Sequence, residues 1–532
     1  MKAKKLIEVA LPIKEISAES VRDKSIRHGH ISTLHLWWAR RPLPVCRAIV
    51  FASLVPDPLD DNCPEAFKWA VHHLLCTGRA SMRYRPYKDI PYTSIADEMP
   101  DNHRNRLMMF IGQFSEKCQK NMIAGKPTLP KEQLSDYSLI KWENKNNPEI
   151  LRIARELIFV AYQSDRRPDA SWEQLDQEFT ALYDAIPEAE RMLYEQVDRH
   201  LENPEAKKCE AELKTAIDAF QQQMPSVFDP FAGGGAIPLE AARLGCRSYG
   251  NDINPVAHII ERGSAEFPQR YGKPIIYNKV EFERIYGEEG IRMAQETDRG
   301  ITFEGESQTY RIPNRLAFDV EFYAKRLLQM VQTEAGNLYP PDEYGNKPIA
   351  YYWARTAKCS NPSCCAEVPL LKQFYLANTT RKKVYLNPII NGTDIQFEIK
   401  EGICPIEKGW NNKGTLTCPC CGSVTDKVQV RDMSVQGKLG KRLLAVFSES
   451  PVGKTYSLPT KKQIEIVTQQ QTEIERPTET MAPHTTGGDI SVWGFKRWGD
   501  LFSDRQLFML GAFVKQLEIL ISALMKMVFH LL

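Results

Sequence analysis

The stretch Phe228-Asp229-Pro230-Phe231-Ala232-Gly233-Gly234-Gly235-Ala236-Ile237, followed by Tyr249-Gly250-Asn251-Asp252-Ile253-Asn254-Pro255, decides how this chain is read. An acid closes a short strand and glycines let the backbone approach a ligand. Good helix formers then run from Ala236 to Leu244, and Gly245 stands where a C-cap glycine belongs. A second strand ends on another acid. Asp252 lies 17 residues beyond Gly235, close to the separation between a glycine turn and the ribose-binding acid of a nucleotide fold. The spacing predicts one strand-helix-strand half-unit with a ligand crevice beside it.

The glycines are contiguous and follow an acid, so they do not form the dinucleotide fingerprint, and no Lys-Ser or Lys-Thr pair follows them as a phosphate loop requires. A nucleoside that carries a charged amino-acid end and no phosphates fits better, which describes S-adenosylmethionine. Asp229, Pro230, Phe231, Ala232, Gly233, Gly234, Gly235, Asp252 and Ile253 are the candidate cofactor-binding residues. The alternative is an ordinary strand-turn-helix with a glycine-rich bend.

At 532 residues the chain exceeds one ordinary core, and its 42% hydrophobic and 26% charged residues are those of a globular protein. A net charge of +2 excludes a global basic field, so any nucleic-acid contact must come from local patches. No signal pattern is read at the start. Lys515, Glu518 and Lys526 interrupt the most apolar stretch, so the expected location is cytoplasmic, with no membrane contact. Seven of the 13 cysteines fall between residues 359 and 421, which points to metal in a reducing compartment.

Cys359 and Cys364 can present two thiolates at one turn, and Cys418 and Cys421, in Cys418-Pro419-Cys420-Cys421-Gly422, two more at a second. Together they make a closed tetrahedral site for structural zinc. Cys365 could replace Cys364, Cys420 could replace Cys421, and Cys404 is a spare. Strand patterning over Phe374 to Ile390 and Thr393 to Ile399 supplies the hairpins of a zinc ribbon, where Arg381-Lys382-Lys383 could meet DNA phosphates or simply be a solvated tip.

Near the N-terminus, His28-Gly29-His30 and Leu34-His35-Leu36-Trp37-Trp38-Ala39-Arg40-Arg41-Pro42-Leu43 lead into an apolar helix. Residues 59–225 read as helical and polar, with Arg83-Tyr84-Arg85-Pro86-Tyr87 a weak nucleic-acid signal; Lys461 to Thr486 reads as an exposed loop.

Asp229 to Gly235 resembles the cofactor motif of DNA amino-methyltransferases, and Asn251 to Pro255 their following acidic motif. The His, basic-Pro and apolar-helix pattern resembles the segment that encloses the cofactor in that group, with Arg41-Pro42 in place of Lys-Pro. Adding Trp353-Ala354-Arg355-Thr356, Gly499-Asp500-Leu501-Phe502 and Arg505-Gln506-Leu507, the chain resembles the zinc-ribbon-containing adenine-specific DNA methylases. Their N-terminal domain is catalogued as one of unknown function, and they often occur in anti-phage settings. The resemblance implies an α/β fold: an incomplete Rossmann-like S-adenosylmethionine methyltransferase core with a helical insertion and an inserted zinc ribbon. The expected segments are a cofactor-enclosing motif (1–58), the insertion (59–225), the cofactor-binding half (226–350), the ribbon (351–435) and a C-terminal part (436–532). The implied function is adenine-N6 methylation of DNA in a restriction-modification or anti-phage system. The alternatives are a non-catalytic cofactor- and nucleic-acid-binding subunit of a larger complex, or an RNA methylase.

Such enzymes need Asn, Asp or Ser followed by Pro-Pro and an aromatic residue to present a flipped base. Tyr339-Pro340-Pro341-Asp342 fails at both ends and reads as a proline loop, so no catalytic residue is assigned and the chain alone is expected to be inactive. Leu507, Leu510, Val514, Leu517, Ile521, Leu524 and Val528 then mark a helical seam after the N-cap Ser503. Either a second polypeptide or a defence-system partner completes the sheet, or the chain is truncated before its catalytic motif; the alternative is that the helix packs within this chain or forms an oligomer contact.

Overall fold

Asn147 shows how local chemistry sets the helices. Its side chain accepts from the amides of Glu149 and Ile150, Pro148 opens the first turn, and the helix Pro148–Arg166 buries Leu151, Ala154, Leu157, Ile158 and Ala161. The computed structural model describes residues 2–35, 40–77, 100–196, 204–296, 301–304, 308–380, 382–451, 453–468, 474–482 and 490–529. It is a mixed helix and sheet structure that divides into two units, Met1–Phe322 and Tyr323–Leu532.

The first unit is largely helical. One hydrophobic core runs from Leu6 through Phe51, Phe67, Phe110, Phe159 and Phe179 to Met224, and takes in Ala241, Leu244 and Cys246 at the end of the glycine-turn helix. The stretch expected as an insertion therefore shares its core with that helix. Strands β1 (Ser226–Asp229) and β2 (Arg247–Gly250) pair in parallel across the helix Ala236–Arg243, with Asp229 opposite Gly250. A parallel pair needs such a crossover. Strands β3 (Ile275–Asn278), β4 (Thr302–Glu304) and β5 (Thr309–Ile312) form an antiparallel sheet in the order β3-β5-β4. Phe282 stacks on Tyr310 above it, ring centroids 4.3 Å apart.

The second unit holds three antiparallel sheets among its described residues. Strands β6 (Lys347–Lys358) and β7 (Glu367–Pro369) join β14 (Gly440–Ser450) and β15 (Gly453–Ser457) in the order β15-β14-β6-β7. Strands β8 (Tyr375–Asn378), β9 (Lys383–Asn391) and β10 (Asp394–Glu401) form a meander where strand patterning predicted it. The short strands β11 (Asn411–Asn412), β12 (Thr415–Thr417) and β13 (Val424–Thr425) surround the second pair of cysteines. Val368, Phe374, Leu386, Leu416 and Ala445 form the common core.

Two expectations are revised here, one for the stretch after residue 460 and one for the last helix. Part of the stretch read as a loop is a helix, Lys461–Thr468, whose Gln463 is buried and donates to the carbonyl of Pro340 at 3.2 Å. Lys382 folds back, donating to the carbonyl of Lys454 at 3.1 Å, while Arg381 lies outside the described residues, as do residues 36–39 and 83–87. In the final helix, Asp504–Phe529, the face that packs on Val331 and Ala335 is Ala512 with partners such as Phe508, so Leu510, Val514, Leu517 and Ile521 of the expected seam are exposed. Among the described residues, Asp504–Met525 is the one helix long and apolar enough to cross a membrane by length and composition, with mean hydropathy 1.7.

Candidate functional site: the glycine-turn pocket and the four-cysteine centre

The turn after β1 is built from hydrogen bonds between its two acids and the backbone. Asp229 accepts from the amide of Phe231 at 3.0 Å, and Asp252 accepts from Gly233 at 2.8 Å and from Asn254 at 2.9 Å. Gly233 and Gly235 adopt positive φ of 56° and 75°, a region open to glycine at little cost. A Cβ on Gly250 would lie 2.8 Å from a Glu261 carboxylate oxygen and 3.0 Å from Pro238, so that position admits no side chain without movement. Asn254 then caps the next helix, Pro255–Glu261, by accepting from Val256 at 2.9 Å.

Asp229, Phe231, Ala232, Gly233 and Gly234 line a cleft of about 260 Å³ together with Ile31, Ser32, His35, Arg40, Arg41 and Ile260. Asp252 and Ile253 sit beside it and do not line it; Ile253 is fully exposed and Phe231 87% exposed, so two large apolar side chains flank the mouth without cover. Pro230 is exposed at the turn, and Gly235 is buried behind it as the residue that starts the helix.

The N-terminal segment reaches the cleft because buried polar contacts fix it. Arg47 is 1% exposed; its Nε meets Glu240 Oε2 at 2.5 Å and its Nη1 donates to the carbonyl of Leu139 at 2.8 Å. Leu43, Cys46 and Ala236 pack in one cluster beside this pair. Buried His30 accepts from the amide of Ser32 through Nδ1, its Nε2 lies 3.0 Å from the Asp23 carboxylate and 2.9 Å from Arg40 Nη2, and its ring stacks on Trp142. Arg40 donates to the backbone and carboxylate of Asp23 at 2.9 and 3.2 Å, so its charge is compensated. Arg41 is exposed at the cleft and makes no hydrogen bond to a described residue.

Glu261 is a residue that spacing did not single out. Its Oε1 is buried without a hydrogen-bond partner, and burial, reinforced by Asp252 and more weakly by Asp229, raises its pKa above the ordinary carboxylate value. Three acids thus converge on one glycine turn. That field disfavours phosphate and favours a cationic group.

In the second unit, β6 delivers Cys359 and β12 delivers Cys418. The sulfurs of Cys359, Cys364, Cys418 and Cys421 lie within 4.8 Å of one another; Cys359 and Cys421 are 3.6 Å apart, Cys364 and Cys418 3.8 Å. Each turn closes on itself: Cys359 donates to Ala366 and Gly422 to Cys418, both at 2.9 Å, with Gly422 at φ 74°. Thr425 ties the two turns, donating to Ser360 Oγ at 3.0 Å. Hydrogen bonds from Ser423 hold the Cys421 thiol down to about 6, whereas burial pushes Cys359 up to about 12. Four such sulfurs can hold a metal ion such as zinc. The alternatives fall away on geometry, because Cys365 turns its sulfur to the carbonyl of Pro362 at 3.1 Å, and Cys404 approaches Ile406; Cys420 is outside the group of four.

Tyr339 and Asp342 are both used structurally. The Arg505 guanidinium lies against both Tyr339 and Tyr351, 4.4 Å from each ring centroid, and Asp342 accepts from the amides of Tyr344 and Asn346. These contacts describe a proline turn.

Residues 10–72 match the family described as Protein of unknown function (DUF1156). The match spans the helices Ile13–Ser25 and Leu43–Leu54, between which lie the cleft-lining residues Ile31, Ser32, His35, Arg40 and Arg41. No curated protein and no solved structure matches the chain.

Proposed function

We propose that this chain is a nucleic-acid methyltransferase-family protein of the adenine-specific DNA type that binds S-adenosylmethionine in the cleft beside Asp229–Gly235 and zinc at the four cysteines. The observation that carries the reading is the acid-lined glycine turn capped by the N-terminal segment, with Asp252 fastened to Gly233 at 2.8 Å. A Rossmann-like half-unit holds the cofactor here, and the hairpins around the cysteines act as a zinc ribbon. The residues suit the ligand. The three acids match its cationic sulfonium and ammonium, Arg41 is available to its carboxylate, and Asp252, with about four acceptor sites of which two are used, can still receive ribose hydroxyls. When bound, the cofactor supplies an electrophilic methyl group on sulfur. All-thiolate zinc leaves no open position, so that centre builds structure.

A second reading, a binding subunit within a larger complex, is favoured by one observation. β1 and β2 form a two-stranded parallel sheet whose Phe228 and Tyr249 are 63% and 53% exposed, whereas parallel sheets are normally covered on both faces. Isothermal titration with S-adenosylmethionine tests the shared premise, and transfer of labelled methyl groups to DNA or RNA separates the readings. Saturable binding with no transfer by the purified chain favours the subunit; transfer to DNA by the chain alone favours the enzyme; absence of binding removes both.

A further inference from the structure

The helix Glu65–Val71 does not end in an ordinary cap but widens into a π-helical turn over His72–Thr77. Such turns are rare, cost backbone energy, and concentrate where side chains must be re-aimed for a ligand. Here the turn carries His72 and Cys76, and the first residue of the helix His103–Ile111 lies against them. One ligand atom from each of His72, Cys76 and His103 lies within 4.8 Å of the other two.

The surrounding contacts account for the neighbours and leave these three over. His73 is stacked between Trp69 and Trp172, each at a centroid distance of 5.8 Å, and belongs to that aromatic packing. Asp101 is held by Arg106 through two contacts of 2.6 and 2.5 Å and is not free to act as a donor. His72 and His103 meet only as rings, 5.8 Å apart, and neither imidazole hydrogen-bonds a described residue. Among the described residues the Cys76 thiol makes one long contact, 3.9 Å, to the carbonyl of Val71. Partly buried imidazoles usually find a polar partner, and a shared ion would give these two one that the described residues do not supply.

We propose that His72, Cys76 and His103 bind one divalent ion of the zinc type, separate from the four-cysteine centre. Two imidazole nitrogens and one thiolate are borderline-soft donors suited to zinc. Around a tetrahedral ion such donors stand roughly 3.5 Å apart, so small rotamer adjustments close the site. On binding, Cys76 releases its proton to solvent and its sulfur bonds the metal, while each histidine gives a nitrogen lone pair. Three protein ligands leave a fourth position for water, unlike the closed four-thiolate centre. The ion would clip the end of one helix to the start of another 27 residues further along.

Metal analysis of the full-length chain tests this. Wild type is expected to hold two zinc ions, and His72→Ala or His103→Ala one, with the remaining ion lost on adding Cys418→Ser. As a second measurement, the Cys418→Ser/Cys421→Ser chain loaded with cobalt(II) should keep a thiolate-to-cobalt absorption band that disappears with Cys76→Ser. Zinc content unchanged by both histidine variants would overturn the proposal, as would a cobalt band indifferent to Cys76→Ser.

Discussion

Arg47 and Glu240, 193 residues apart in sequence, face each other in the interior with Nε 2.5 Å from Oε2, both essentially without solvent. This pair joins the N-terminal segment to the glycine-turn helix. Breaking one partner of a buried ion pair strands the other charge, at a cost of about 3–5 kcal/mol. Glu240→Ala should therefore lower stability by that order in denaturant unfolding. Adding Arg47→Met should recover part of the loss, because the fully buried charge is then gone and only the partly exposed Arg243, which also pairs with Glu240, has lost a partner; strict additivity of the two substitutions would contradict the coupling.

Asp252→Ala removes the acceptor for Gly233 and the proposed ribose contact together. Loss of charge-assisted hydrogen bonds predicts a fall in S-adenosylmethionine affinity of roughly 100-fold. Zinc per chain should not change. Unaltered affinity by calorimetry would defeat the assignment.

Cys418→Ser opens the four-thiolate site. Bound zinc at this centre should be lost, and near-ultraviolet circular dichroism from Trp410 and Trp493, which pack on its core, should weaken. The same loss is expected on acidification, since thiolates must protonate to release the ion. An unaltered spectrum after metal removal would show that the centre does not support the fold.

Glu156 is buried in the helical unit, and burial, aided by a hydrogen bond that its protonated carboxyl donates to Asp176, raises its pKa from 4.5 to about 8. The folded state keeps this proton where the unfolded chain gives it up. Its contribution is thus fully present below pH 4.5 and is lost as pH rises towards 8, a decline of roughly 3–5 kcal/mol. Glu156→Gln should flatten that slope, which unfolding curves across this range would reveal.

On the last helix, burial separates neighbours of the same type. Leu520 is 5% exposed and Leu517 44%. Leu520→Ala should cost about 2–4 kcal/mol, whereas Leu517→Lys should leave the melting temperature nearly unchanged. Equal destabilisation by both would mean that the exposed face is covered in solution.

Elements specified by local chemistry were legible in the sequence. Asp229 and the glycines placed β1 and its helix, Gly245 ended that helix at φ 82°, and Ser503 capped the last one. The four cysteines came together from turn spacing alone. Long-range choices were not legible. The Arg47–Glu240 pair and the buried Glu261 oxygen depend on residues brought together only by the fold. The 3-4 spacing of Leu510, Val514 and Leu517 identified a stripe on the last helix, yet a neighbouring face, with Ala512, makes the contact. His72 and Cys76 stand four residues apart, on one face of a helical turn, but nothing in the sequence brings His103 to them; only the fold does.

Strands β1 and β2 contribute only four residue pairs to each other, and Ser248 Oγ donates to the carbonyl of Pro238 at 2.6 Å to hold β2 against the helix. So short a ladder derives its persistence from that helix and its buried anchor. The amides of Val227 to Asp229 should exchange with deuterium far sooner than those of the helix Pro148–Arg166, and a ligand in the cleft should slow them. The turn proposed to hold the ligand is thus expected to open more readily than the helical core, and occupancy and local order would become one measurable quantity.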